Sequence, residues 1–231
     1  MKITMLIHPK SWFTYNDAVA FMPVLTKYAD PSEIAFLSKP EEEGDVLIAL
    51  HYPALIPKEH FCLHRCNIVI HGSDLPSGRG RSPIHWQVEE GHNEITLTMF
   101  EMGDGADNGP IYFRHKLSLD GTELLPYIRL KLLRAELDMI DIFLSKWPMT
   151  PLEQQGEPSY YPKRSRENQK LDPNKTIAEQ FDKMRVSDNE RYPLWFEHRG
   201  NTYELKINSN APRPKLFKRD IDPEPPFNFT G

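Results

Sequence analysis

Four short apolar runs mark the first part of the chain: KITMLI (2–7), EIAFL (33–37), DVLIAL (45–50) and NIVIH (67–71). Each is apolar on both sides, the pattern of strands covered on both faces. Between the first two runs a mixed segment reaches Tyr28 and reads as a helix broken near Pro23. PIHWQVEEG (83–91) reads as a helix with Pro in its first turn and Gly at its end. ITLTMFEM (95–102) and IYFRHKLSL (111–119) are strand-like and flank the turn-rich GDGADNGP (103–110). After Asp120-Gly121, the apolar stripe Leu125, Ile128, Leu132, Leu137, Ile140 and Leu144 predicts a long amphipathic helix, with Pro126 in its first turn and Pro148 stopping it. Strands alternating with helical patterns imply right-handed crossovers and an α/β fold with a mainly parallel twisted sheet.

The character changes near residue 150. PLEQQGEPSYYPKRSRENQKLDPNK is polar and loop-like. TIAEQFDKMRVSD carries a helical pattern with a capping box, Thr176 as N-cap and Glu179 three residues later. WFEHRGNTYELKI reads as two short strands around Arg199-Gly200-Asn201. Five prolines between Pro212 and Pro226 exclude a helix or a central strand from the last stretch. The expected organisation is a catalytic domain over 1–150, a small subdomain over 151–208 (loop, short helix, β-hairpin) and an extended tail over 209–231.

A length of 231 residues suits one large domain, or one with a small appendage. Lys and Arg total 28 against 33 Asp and Glu, a net charge of −5, which argues against a broad basic face for nucleic acid. No run approaches the ~20 apolar residues of a membrane span. The N-terminal apolar run is too short for a signal peptide, so a cytoplasmic chain is expected. The two cysteines, Cys62 and Cys66, bracket His64, but a structural zinc site needs a second ligand pair that the sequence lacks. The expectation is reduced, structural thiols and no metal.

Two residues stand out chemically. His71 ends an apolar run and enters GSDLPSGRGRS (72–82), and Asp107 lies in the second Gly-rich loop. Both are expected just past the C-terminal ends of parallel strands, where open α/β sheets place their ligands. A His beside a carboxylate can hold an oxyanion and move a proton near neutral pH.

HGSDLPSGRGRSPIHWQVEEG (71–91) followed by TLTMFEMGDGADNGPI (96–111) resembles the signature of the 10-formyltetrahydrofolate-dependent formyltransferases. The resemblance rests on His71, Ser73, Leu75-Pro76, Arg79-Gly80, Pro83-Ile84, Trp86, Asp107 and Gly109-Pro110-Ile111. HYPALIPKEHF (51–61) resembles the folate-loop segment of that family. PSYYPKRSRENQKLDPNKTIAEQFDKMR and RYPLWFEHRG resemble the C-terminal region of the branch acting on nucleotide-linked amino sugars.

The resemblance implies a Rossmann-like formyltransferase core. In it His71 donates to the developing oxyanion, while Asp107 orients His71 and accepts the amine proton of the acceptor. The resemblance further implies that Tyr52, Leu55, Ile56, Pro57, Met102 and Asp104 seat the folate of 10-formyltetrahydrofolate. Lys10, Arg79 and Arg81 are the candidates for the acceptor's pyrophosphate, Tyr160, Tyr161 and Trp195 for stacking on its base, and Ser73 is a further substrate-binding candidate. One position departs: the family has Asn two residues before the His, and this chain has Val69. Compensation by Asn67, Asn108 or a backbone N–H with water, a slower enzyme, or a non-catalytic folate or sugar-nucleotide binder are the open outcomes.

The expected reaction is formyl transfer to the 4-amino group of a UDP- or dTDP-linked 4-amino-4,6-dideoxy sugar, for surface polysaccharide or nonulosonic acid synthesis. A methionyl-transfer-RNA formyltransferase is disfavoured by the acidic totals and by the short segment after the long helix. A formyl hydrolase is the remaining enzymatic alternative. The resembling sugar enzymes pair through C-terminal elements, so a homodimer is also expected.

Overall fold

In the computed structural model, which describes residues 1–39 and 41–210, the six strand-like runs pair into one six-stranded sheet. Its strands are β1 (Ile3–Leu6), β2 (Ile34–Leu37), β3 (Gly44–Ala49), β4 (His64–His71), β6 (Glu94–Glu101) and β7 (Ile111–Ser118), in the order β2-β1-β3-β4-β6-β7. The two-residue β5 (Arg79–Gly80) pairs elsewhere. The first four strands are parallel, and β6 runs antiparallel to both of its neighbours, β4 and β7.

The segment before β2 breaks as its sequence suggests. Helix α1 (Tyr15–Val19) starts on a Thr14–Asp17 capping box, and α2 (Met22–Leu25) carries Pro23 in its first turn. After β3, the short α3 (Lys58–Phe61) leads into β4.

The direction of β6 corrects one expectation. Asp107 follows an antiparallel strand, not the C-terminal end of a parallel one. The connection 72–93, which holds α4 (Pro83–Glu89), does not return to the start of β4. The strand that follows begins beside the His71 end, with Thr98 opposite His71 and Glu101 opposite Ile68.

The two faces of the sheet are covered differently. Helix α5 (Leu125–Ser145) lays Ile128, Leu132, Leu133, Ile140 and Phe143 into a buried cluster with Ile3, Met5, Val46, Ile48 and Ile68. Leu6, Leu47 and Ala49 form a second buried cluster with Phe61. Tyr52, Ile56, Val69 and Met102 pack against it, so this region is closed by the loops after β3 and β6. The candidate site occupies this loop-covered region.

The chain after α5 returns to the sheet. Leu152 bridges Ile111, and β8 (Tyr160–Tyr161) pairs in parallel with β5. The Thr176–Glu179 capping box forms and opens a short 3-10 turn that runs into α6 (Phe181–Arg185). β9 (Leu194–His198) and β10 (Asn201–Leu205) make the expected hairpin. Its turn residues Arg199 and Gly200 have φ of 50° and 76°, the left-handed pair of a type I′ turn. Arg185, fully buried, fastens this region to the core through the Glu123 carbonyl and carboxylate and Asn93 Oδ1. The proline-rich stretch from residue 212 lies outside the described residues.

Candidate active site

Residues 67, 69 and 71 of β4 point to one face of the sheet. The loop 102–110 runs along that face: Met102 N–H donates to the Asn67 carbonyl (2.7 Å) at one end, and Asp107 reaches His71 at the other. Val69 lies between them, packed against Leu75, Phe100 and Ile111.

His71 is 8% exposed, with Nε2 2.9 Å from the Gly78 carbonyl and Nδ1 3.5 Å from Asp107 Oδ1. A carbonyl only accepts, so Nε2 is the donor in that bond. A proton on Nδ1 then makes the pair an imidazolium–carboxylate contact. With Nε2 given to Gly78, its proton reaches an oxyanion only by leaving or sharing that carbonyl.

Asp107 is held from three sides. Its backbone sits in the left-handed region (φ 53°), its Oδ2 accepts from Gly80 N–H (2.9 Å), and its carbonyl accepts from Gln154 Nε2 (2.9 Å). Gly80 must be glycine here: its φ is 102°, and a Cβ would collide with the Tyr161 carbonyl. That close approach is the β5–β8 pairing, in which Arg79 N–H donates to Ser159 O (2.9 Å). Ser159 Oγ in turn accepts from Gly78 N–H (2.8 Å), fixing the carbonyl that receives His71.

Neither side chain suggested as a replacement donor at Val69 is aimed at the pair. Asn67 Nδ2 is engaged by Glu101 Oε1 (3.1 Å) and His64 O (3.5 Å). Asn108 closes its own loop, its Oδ1 accepting from Gly105 N–H (3.2 Å). Asn67 belongs to a separate polar cluster in which Glu101 also binds Tyr112 and Cys66. Burial there pushes the Cys66 thiol up to about 12.

The structure brings Tyr52, Ile56, Met102 and Val69 into one apolar wall. Lys58 Nζ meets Asp104 (3.2 Å), tying the two loops together. Leu55 is 73% exposed, and Pro57 leads into α3. These half-buried apolar side chains and paired loops suit a flat heteroaromatic ring beside His71 and Asp107.

The acceptor-side candidates divide. Ser73 is buried at 2% exposure, with its Oγ against Gly78, so it lines the loop interior and presents nothing to a nucleotide. Arg79 donates through Nη2 to Gln154 Oε1 (2.6 Å) and, weakly, through Nη1 to Tyr160 Oη (3.4 Å). Arg81 is exposed. So is Lys10, whose carbonyl is held by Arg191 (3.3 Å). Tyr160 is 65% exposed. Tyr161 stacks on Trp86 (8° between planes) and donates to Glu90. Trp195 is corrected: Arg166 and Lys170 lie 4.9 and 4.6 Å from its ring, and its Nε1 donates to the Arg166 carbonyl. That ring is used inside the C-terminal region and is not presented for stacking.

The sequence reading missed the Gly78 carbonyl, the Gly80 N–H, Ser159 and Gln154. The first two are backbone groups without a side-chain signal, and the last two lie in a stretch that reads only as polar loop. Cys62 is exposed, Cys66 bonds Glu101, and His64 bonds Thr4, so the three share no ligand centre. Among the described residues no group of three or more His, Cys, Asp or Glu could hold a metal ion. None of the described helices is long and apolar enough to cross a membrane.

Residues 27–140, which include His71, Val69 and Asp107, match the family model described as formyl transferase. The His71–Asp107 pair of the candidate site thus lies within the part of the chain that is similar to this family. A methionyl-tRNA formyltransferase of Thermosipho melanesiensis is 33% identical over 119 residues, covering 52% of this chain and 39% of that protein. The chain thus spans about two fifths of the length of the curated relatives it matches. In fold it is similar to methionyl-tRNA formyltransferase from Clostridium thermocellum, with a TM-score of 0.74 at 22% identity over 90% of this chain and 93% of that one. It is also similar to a sugar N-formyltransferase from Shewanella sp., with a TM-score of 0.65 at 13% identity over 90% and 98%. At these identities the likeness carries the Rossmann-like formyltransferase fold.

Proposed function

We propose that the protein moves a formyl group from 10-formyltetrahydrofolate to the 4-amino group of a nucleotide-linked 4-amino-4,6-dideoxy sugar. The observation that carries the reading is the His71–Asp107 pair at the end of β4, beside the apolar wall of Tyr52, Ile56, Val69 and Met102. When bound, 10-formyltetrahydrofolate supplies the formyl group. The wall and the Leu55–Pro57 loop would hold its pterin.

Asp107 spends one oxygen on Gly80 N–H and keeps the other for His71 and the proton of the incoming amine. His71, between a carboxylate and a carbonyl, is placed to pass a proton on to a leaving nitrogen. Val69 brings no donor to the oxyanion, so that donor would come from a backbone N–H, a water, or His71 after release from Gly78.

The sugar acceptor is favoured by charge. A pyrophosphate needs one or two cations, for which the exposed Lys10 and Arg81 are available, whereas a transfer RNA needs a broad basic face that a net charge of −5 does not suggest. The sequence likeness to a methionyl-tRNA formyltransferase favours the second reading, methionyl-tRNA as acceptor. The test incubates the full chain and 10-formyltetrahydrofolate with UDP- and dTDP-linked 4-amino sugars and, separately, with initiator methionyl-tRNA. A sugar nucleotide gaining the mass of one formyl group supports the proposal. Formylated methionyl-tRNA with every sugar unchanged overturns the acceptor, and formate release without any formylated amine overturns the transfer.

A further inference from the structure

We propose that Gln154 is a positioning residue of this site: its carboxamide, oriented by Arg79, fixes the Asp107 peptide so that the Asp107 carboxylate meets His71. Gln154 follows α5 and lies outside residues 27–140, the family match. Its Nε2 donates to two carbonyls of the site loop, Asp107 O at 2.9 Å and Gly109 O at 2.8 Å. Both N–H bonds of the amide are thereby used. Its Oε1 accepts from Arg79 Nη2 at 2.6 Å, a charge-assisted bond that decides which way the amide faces.

Asp107 needs such a restraint. A non-glycine residue in the left-handed region carries a cost of about 1–2 kcal/mol and persists when its surroundings over-determine it. Gln154 holds the peptide from the carbonyl side, and Gly80 N–H holds the carboxylate from the other. Arg79 and Gly80 are consecutive, and both are registered by β8. One short parallel pairing therefore sets the Arg79 end of the Gln154 bridge and the Gly80 contact to Asp107 together. Ser159, one residue before β8, fixes Gly78, the carbonyl partner of His71. The arm 154–161 thus holds both members of the pair.

The inference rests on the formyl-transfer reading for its kinetics but not for its spectroscopy. Gln154→Glu keeps the side-chain length and the acceptor for Arg79, removes the amide donor, and sets an acidic oxygen against two carbonyls. In the full chain with 15N-labelled histidine, the downfield imidazole N–H resonance of His71 is followed in wild type, Gln154→Glu and Asp107→Asn. The expected result is that Gln154→Glu loses or moves this resonance as Asp107→Asn does, while thermal unfolding stays close to wild type. The kinetic arm expects kcat to fall by about 10²-fold, the scale of a small misplacement of a reacting group, with KM held within about threefold.

A folded Gln154→Glu protein with the wild-type resonance overturns the proposal, as does a wild type without that resonance. A higher KM at unchanged kcat makes Gln154 a binding residue and also overturns it. Gln154→Ala, which adds no charge, is the second variant. Unfolding of both makes the residue structural and ends the proposal. If the resonance responds as expected but wild type formylates no acceptor, the functional reading fails while the positioning role stands.

Discussion

Val69→Asn is the most informative perturbation of the proposed reaction. Val69 faces Phe100 across the β4–β6 pairing, packs on Leu75 and Ile111, and sits midway along β4 between Asn67 and His71. Placing a carboxamide there costs about 1–3 kcal/mol for a polar group set among apolar neighbours. For a chain of this size that lowers the melting temperature by about 2–12 °C. The return is catalytic. A donor aimed at a developing oxyanion is worth about 10²–10³ in rate, and a group that acts only in the transition state raises kcat without lowering KM. Asn67 Nδ2 is engaged by Glu101, and the Asn108 amide lies against Gly103 and Gly105 of its own loop, so neither side-chain amide is placed to fill the role. A large part of that factor should therefore appear. The assay is steady-state formyl transfer to the sugar nucleotide that wild type accepts, with melting measured in parallel. A folded Val69→Asn protein no faster than wild type refutes the reasoning, because the position would then face no charge that develops in the reaction.

Arg185→Met removes the donors to the Glu123 carbonyl and Asn93, but Glu123 keeps the Asp120 and Gly121 N–H groups and Lys131. The loss should lie at the low end for a buried pair, about 3 kcal/mol, or about 6–12 °C in melting temperature, and a shift under about 2 °C would contradict it. His85 is pushed down to about 3 by burial and then by Arg164 and Arg129, with Asp188 opposing. Its stabilising effect is full above pH 6.5 and fades as pH falls toward 3, at about 1.4 kcal/mol per unit, so His85→Gln should flatten the acid limb of a denaturation series. Cys62 is exposed while burial holds Cys66 up at about 12, so a thiol reagent at pH 8 should label one of the two cysteines in the folded chain and both in denaturant. Lys10→Ala and Arg81→Ala should each raise the sugar-nucleotide KM by about tenfold, the worth of a charge-assisted bond, with kcat unchanged. A fall in kcat alone would remove them from the pyrophosphate role.

What could be read from the sequence follows from how each feature is encoded. The strands were legible because burial on both faces writes an unbroken apolar run, as in Val46–Leu50. The stripe of α5 was legible because one helix face meets the sheet. The direction of β6 was not, because it depends on where the connection 72–93 delivers the chain, and a strand leaves the same apolar pattern in either direction. Trp195 and Arg79 misled for a related reason: an aromatic ring or a guanidinium looks available for a ligand until its neighbours are known.

The same logic explains why the site reads as two residues in the sequence and as a larger assembly in space. His71 and Asp107 announce themselves by residue type and loop position. The groups that hold them are the Gly78 carbonyl, the Gly80 N–H, the Ser159 hydroxyl and the Gln154 amide. Ordinary side chains and bare backbone do this work, so only the pairing of β5 with β8 reveals them. That pairing joins the loop after β4 to the segment beyond α5. A core cut off before residue 152 would therefore keep both chemically obvious residues and lose the contacts that aim them at each other.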